Sequence, residues 1–185
     1  GSFSYHGDSQ GYRFGLGIAP FVRLGASKIL DYSASKPFLK PDYTELLDAA
    51  HADGARISNN SWAGTSCAPS KASILRGYGN VAEQYDYLVR DARPSTASSG
   101  GAPGNQEMVV VWAAGNNGDC PSAVLGGAGS TAKNTLVVGA TENVNATGDP
   151  DGGGFTDGMA DDISKVLDLT GRRPTSVVRI KPDIM

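Results

Sequence analysis

Charge of one sign, cysteine, histidine and long hydrophobic runs are all scarce in this 185-residue chain. The 16 Lys and Arg against 19 Asp and Glu leave a net charge of -3. That balance excludes the basic patch that nucleic acid or an anionic membrane surface requires. No apolar run approaches the roughly 20 residues that cross a bilayer as a helix, and no signal-peptide pattern is read at the start. Gly15 and Gly17 make no dinucleotide fingerprint, because no strand precedes them and no helix follows. No phosphate loop follows any predicted strand, which sets aside a nucleotide-binding domain. No internal repeat is found, so a solenoid is excluded. The two cysteines, Cys67 and Cys120, each follow the end of a predicted strand. Their spacing fits a disulfide in a secreted protein and fits two buried thiols equally.

What the chain does have is glycine, 25 residues, and proline, 10 residues, a composition of tight turns around one core-sized domain, 1–185. Its most informative stretch is 106–118, QEMVVVWAAGNNG. Residues 108–114 are continuously apolar without alternation, as in a strand buried on both faces of a parallel sheet. The run then turns polar at Gly115, Asn116, Asn117 and Gly118. Ligands of open α/β sheets sit just past the carboxyl ends of the strands, which is where Asn116 falls. On these residues alone, satisfying the turn is the simpler role for Asn116. The other role is a neutral donor fixed at a rigid strand end, suited to a developing oxyanion.

The remaining elements alternate. A polar loop, 1–17, leads into a strand, 21–30. Residues 42–54 make a helix: Asp42 and Glu45 have capping-box spacing, and Tyr43, Leu46, Leu47 and Ala50 form one apolar stripe. Gly54 is placed to stop it in the left-handed conformation. His51, late in this helix, is read as a charge complementing its C-terminus. A strand follows at 55–62, then a helix at 77–92 ended by Pro94, a loop of small residues at 95–105, the central strand, a glycine-rich loop at 126–129 and a third buried strand at 135–141. Parallel pairing with helical crossovers follows, giving an α/β fold of three layers, α/β/α, around a mainly parallel sheet. In the Asp- and Gly-rich segment 143–162, Asp149, Asp151, Asp157, Asp161 and Asp162 are read either as a solvated loop or as a source of calcium oxygens; the spacing is not that of an EF-hand. The tail, 164–185, is irregular.

The stretches GARISNNSWAG (54–64), VVVWAAGNNG (109–118), GSTAKNTLVVGATEN (129–143) and RIKPDIM (179–185), in this order, resemble the core of the subtilisin-like serine proteases, the subtilases. The resemblance implies an incomplete subtilisin-like fold and a role in peptide-bond hydrolysis. It assigns Asn116 to the oxyanion hole. Ser61, Trp62 and Ala63 match the strand whose backbone pairs with an extended peptide. Ala113, Ala114 and Gly115 match the other wall of the primary specificity pocket, and Asn117 with Gly118 its floor or rim. The partner is then an extended peptide or protein substrate, with neither nucleic acid nor membrane involved, in a secreted or extracytoplasmic setting.

The departures from the family pattern are specific. Its aspartate and histidine motifs are expected before this segment. His6, followed by Gly7 and Asp8, is the one echo, and the residues after it cannot form the helix that motif opens. The nucleophile motif is expected after the Lys181, Pro182, Asp183, Ile184 segment. Gly64, Thr65, Ser66, Cys67, Ala68 and Pro69 imitate it, but the proline comes one residue early, so Ser66 is read as loop. Ala63, Arg173 and Val178 stand where the family favours glycine. The expectation is a fragment or truncated relative, inactive as this chain alone, that associates with itself or with the rest of a protease domain. The alternative is a non-catalytic pseudo-protease module that binds extended peptides.

Overall fold

A computed structural model describes residues 6–7, 13–14, 18–31, 42–64, 68, 70, 77–120, 124–142, 162–172 and 174–185. Its centre is a three-stranded parallel sheet: β3 (Ile57–Asn60), β4 (Val109–Ala113) and β5 (Leu136–Val138), in that spatial order. Two short strands before it, β1 (His6–Gly7) and β2 (Arg13–Phe14), pair antiparallel apart from the sheet. In the central sheet Asn60 stands opposite Trp112, and Ala113 opposite Val138. The carboxyl ends of all three strands therefore reach one rim. The parallel pairing of β3 with β4 suits the helical crossover between them, α2 (Asn80–Arg90), while α1 (Tyr43–Ala52) leads into β3.

The helix α1 starts where the sequence says. The Asp42 carboxylate accepts from the amides of Thr44, at 2.9 Å, and Glu45, at 3.4 Å, satisfying donors that the first turn leaves open. Glu45 does not complete a capping box. Its carboxylate instead accepts from the Ser98 amide at 2.7 Å and from the Ser98 hydroxyl, anchoring the 95–105 loop. At the other end the Ala55 amide donates to Ala50 O at 2.9 Å and the Gly54 amide to His51 O at 3.0 Å. Gly54 takes φ 98°, the left-handed stop that only glycine adopts without strain.

Both helices pack on one face of the sheet. Tyr43 and Leu47 of α1, Ala82, Tyr85 and Leu88 of α2, and Val110, Trp112 and Val137 of the sheet form the core. On the other face Ile57, Val109 and Leu136 remain exposed among the described residues, as suits an incomplete version of the three-layer fold. Residues 21–30 do not form the expected strand. They pair with no strand of the central sheet, and Phe21 and Leu24 are about fully solvent-facing, at 91% and 90% exposed. Strand-like composition is not enough without a neighbour to complete the ladder.

The tail is irregular, as expected, yet firmly docked beside β5. The Asp183 amide donates to Val137 O at 2.8 Å, and its carboxylate accepts from the Val137 amide at 2.7 Å. Lys181, buried, donates through Nζ to Thr135 O at 2.9 Å and to Asp183 at 2.6 Å. Before it, Thr175 O accepts from the Val178 amide, and Thr175 N donates to Arg179 O. This tight turn places Val178 at φ 63°, the left-handed region that a β-branched residue strongly resists.

Candidate functional site

The rim beyond β3 and β4 is built from backbone. Gly126 joins its two sides: its amide donates to Ala114 O at 2.8 Å, and its carbonyl accepts from the Gly64 amide at 2.8 Å. Ala114 is itself tied to β5, its amide donating to Val138 O at 2.9 Å. Ala63, Gly115 and Gly126 meet so closely that a side chain on Gly126 would stand 2.3 Å from the Ala63 methyl. Gly115 turns the chain out of β4 with φ 93°, and its carbonyl accepts from the Gly171 amide at 2.8 Å. The Gly118 amide donates to Leu169 O at 2.8 Å. The loop after β4 is thus held from beneath by the 169–171 segment.

Residues 61–63 and 113–117 all lie at this rim. Asn116 is exposed at the carboxyl end of β4, on the same rim as Ser61, Trp62 and Ala63. Asn117 is buried, at 1% exposure, and its Nδ2 donates to Gly64 O at 3.0 Å. It acts as a strut between the two sides rather than as a surface for a ligand. Ser61 is exposed, its Oγ accepting from Asn59 Nδ2 at 2.9 Å. The half-buried Trp62 turns its ring inward. It stacks on Tyr43 at 6.0 Å and meets Trp112 edge-on at 4.8 Å, while Tyr85 meets Trp112 at 4.6 Å. Such aromatic contacts fix the strand end that carries Ser61 and Ala63. What Trp62 leaves for a ligand is chiefly its backbone. Ala113 and Ala114 line the β4 side, the latter buried.

Other candidates lie elsewhere. His6 sits on β1, opposite Phe14, and not on a helix. His51 lies at the end of α1, just before β3, at the opposite end of the sheet from the rim. Burial, then the charges of Arg56 and Arg93, push it below its ordinary value of 6.5. It is therefore neutral at pH 7, and the expected charge on the helix C-terminus is replaced by Arg56, whose Nη1 donates to His51 O at 3.1 Å. The Arg93 hydrogen bond to Asp48, at 2.8 Å, holds that buried carboxyl below the usual range. Ser66, Cys67, Arg173, Asp149, Asp151, Asp157 and Asp161 lie outside the described residues. Asp162 accepts from the Ser164 amide at 2.9 Å, and among the described residues no cluster of three His, Cys, Asp or Glu side chains is placed to hold a metal ion. Cys120 is buried and disulfide-bonded, which removes the free-thiol reading for that residue.

Sequence reasoning missed Gly126 as the junction of the rim. The signal was the paired Gly126 and Gly127, read only as part of a glycine-rich loop. Chemically, the rim offers an exposed carboxamide on a rigid mount, next to the end of β3, which is an edge strand among the described residues. No helix of the described residues is long and apolar enough to cross a membrane. No curated protein matches the chain. The profile of the subtilase family, however, matches residues 2–185, almost the whole length, and the parallel sheet with its helices is the incomplete α/β arrangement expected of such a match. The chain belongs to the subtilase family of peptidases.

Proposed function

We propose that Ser61, Trp62 and Ala63 on one side, and Ala113, Ala114 and Gly115 on the other, form a cleft for an extended peptide. Asn116 serves as the oxyanion donor of a serine endopeptidase. A peptide laid along residues 61–63 exchanges backbone hydrogen bonds with the strand end, as an added β-strand does. That pairing sets a carbonyl near the Asn116 carboxamide, whose N–H groups stabilise the charge that develops on oxygen when the carbonyl is attacked. Asn117 and Gly126 position this donor by locking the two sides together. The observation that carries the reading is the common rim: parallel register brings Asn116 and Ser61 to the same edge of the sheet.

The nucleophile and base are not assigned to any of the 185 residues, so this polypeptide by itself binds without cutting. Oxyanion and binding effects alone leave only a small part of triad catalysis. The same cleft serves a pseudo-protease module equally. A fluorophosphonate probe tests the assignment: no labelling of the purified chain is expected, and labelling at Ser66 overturns it. The exposed sheet face of Ile57, Val109 and Leu136 supports self-association or docking with the rest of a protease domain. The Cys120 disulfide supports a secreted or extracytoplasmic location.

A further inference from the structure

Two parts of the chain lack a partner within one copy, and their chemistry matches. The first is the outer edge of β3, which ends the sheet order among the described residues. The Val109 amide donates to Arg56 O at 3.0 Å, so the alternation of the strand turns the peptide groups of residues 56, 58 and 60 toward β4. Those of Ile57, Asn59 and Ser61 then point away from the sheet. Among the described residues no backbone hydrogen bond from outside the sheet reaches these three. Ile57 is 66% exposed, and Asn59 and Ser61 are exposed beside it. Such an edge presents unpaired N–H and C=O groups to any second strand. The other part is the segment 21–28, FVRLGASK. Val22, Leu24 and Ala26 alternate with Arg23, Gly25 and Ser27, the apolar-to-polar pattern of a half-buried strand. Yet the segment pairs with no strand of the central sheet, and Phe21, Val22 and Leu24 are all exposed. Among the described residues its one backbone hydrogen bond is Val22 N to Ala19 O, at 3.4 Å, and the peptide groups of residues 23–28 make none.

We infer that residues 21–28 of one copy add as an outer strand to β3 of a second copy, and that the exchange is reciprocal. This rests on the self-association proposed above and names the segment and the edge that make it. The peptide groups of the added segment complete the ladder at Ile57, Asn59 and Ser61, as in strand addition by a peptide. Each copy carries one donor segment and one acceptor edge, so a twofold pair fills both and closes. Laying three apolar side chains of each copy on an equal area of the other covers roughly 1,000 Å² or more, the size at which a specific interface begins. The edge at Ser61 runs on into the ledge of residues 61–63, so an added strand and a bound peptide compete for it.

The test is sedimentation equilibrium of the 185-residue chain over a concentration series, with isotope-filtered NMR on an equal mixture of labelled and unlabelled copies. The mass is expected to rise from 19.1 kDa toward twice that value, and contacts between copies to join residues 21–28 to residues 57–61. The double variant Arg23→Pro, Leu24→Pro removes one amide from each alternation of the segment, so a ladder bond is lost whichever residues face β3. Both positions are exposed and lie in neither helix nor strand, so the fold of a single copy is left intact. The dissociation constant of the pair is expected to rise by about tenfold or more, and a blocked peptide with the sequence of residues 19–28 is expected to dissociate the unaltered pair. A single-chain mass at every concentration overturns self-association and this inference together. A doubled mass that the variant leaves unchanged, with contacts between copies elsewhere, overturns the inference and leaves self-association standing.

Discussion

Replacing Gly126 by alanine puts a methyl 2.3 Å from Ala63 Cβ, a separation that carbon atoms do not tolerate. Overpacking of a tight site costs about 1–3 kcal/mol. If the segment shifts to relieve it, the bonds from Gly126 N to Ala114 O and from Gly64 N to Gly126 O stretch, at about 1 kcal/mol each. The expected loss is about 2–4 kcal/mol. The same change made in Ala63→Gly meets a different neighbourhood: its nearest atoms become Gly115 Cα at 3.3 Å and the residue-63 Cα at 3.4 Å, tight but relieved by small shifts, costing about 1 kcal/mol or less. The double-mutant cycle should therefore show a favourable coupling of about 1–3 kcal/mol. Urea unfolding followed by tryptophan emission measures it, since Trp62 and Trp112 lie 4.8 Å apart in the core beneath this rim. Additivity within about 0.5 kcal/mol would mean that Ala63 and Gly126 do not touch, and the rim geometry would be wrong.

Val178→Gly relieves a left-handed β-branched residue, φ 63°, and should stabilise by about 1 kcal/mol after the added chain entropy of glycine; a lower urea midpoint refutes it. Asn117→Ala removes the buried side-chain amide that donates to Gly64 O and should cost about 0.5–1.5 kcal/mol, with the amide signals of residues 61–64 shifting most. His51 is held below 6.5 in the fold, so the folded state binds its proton less readily than the unfolded state. Stability from this group is full above pH 6.5 and falls as pH drops below it toward the folded value. His51→Gln should flatten that fall in a urea-midpoint series from about pH 7.5 to about pH 5. Light scattering should report a mass above the 19.1 kDa of one chain as concentration rises, and a constant single-chain mass argues against association.

Much of the fold was legible from local signals. Asp42 and Gly54 mark the ends of α1 because capping depends on a residue's own backbone and its next few neighbours. The unbroken apolar run marks the central strand, but not its burial on both faces: Val110 and Trp112 are buried while Val109 on the other face is exposed, because no layer among the described residues covers that side. The abrupt polar turn places Asn116 at the strand's end. What failed depended on distant partners. Residues 21–30 have the composition of a strand, but pairing needs a neighbour that composition does not reveal. Glu45 has the spacing to close a capping box, yet it reaches Ser98, far along the chain. His51 reads as a helix-end cation until its burial, and then Arg56 and Arg93 beside it, are seen. Gly126 looks like any loop glycine until its amide and carbonyl are found bridging Ala114 and Gly64.

Amide chemical-shift mapping with a saturating extended peptide tests the cleft most directly. Perturbations confined to residues 61–64 and 113–117, including the Asn116 side-chain amide, are the predicted result. Saturable shifts centred on α1 or α2 with none at Asn116 would contradict it.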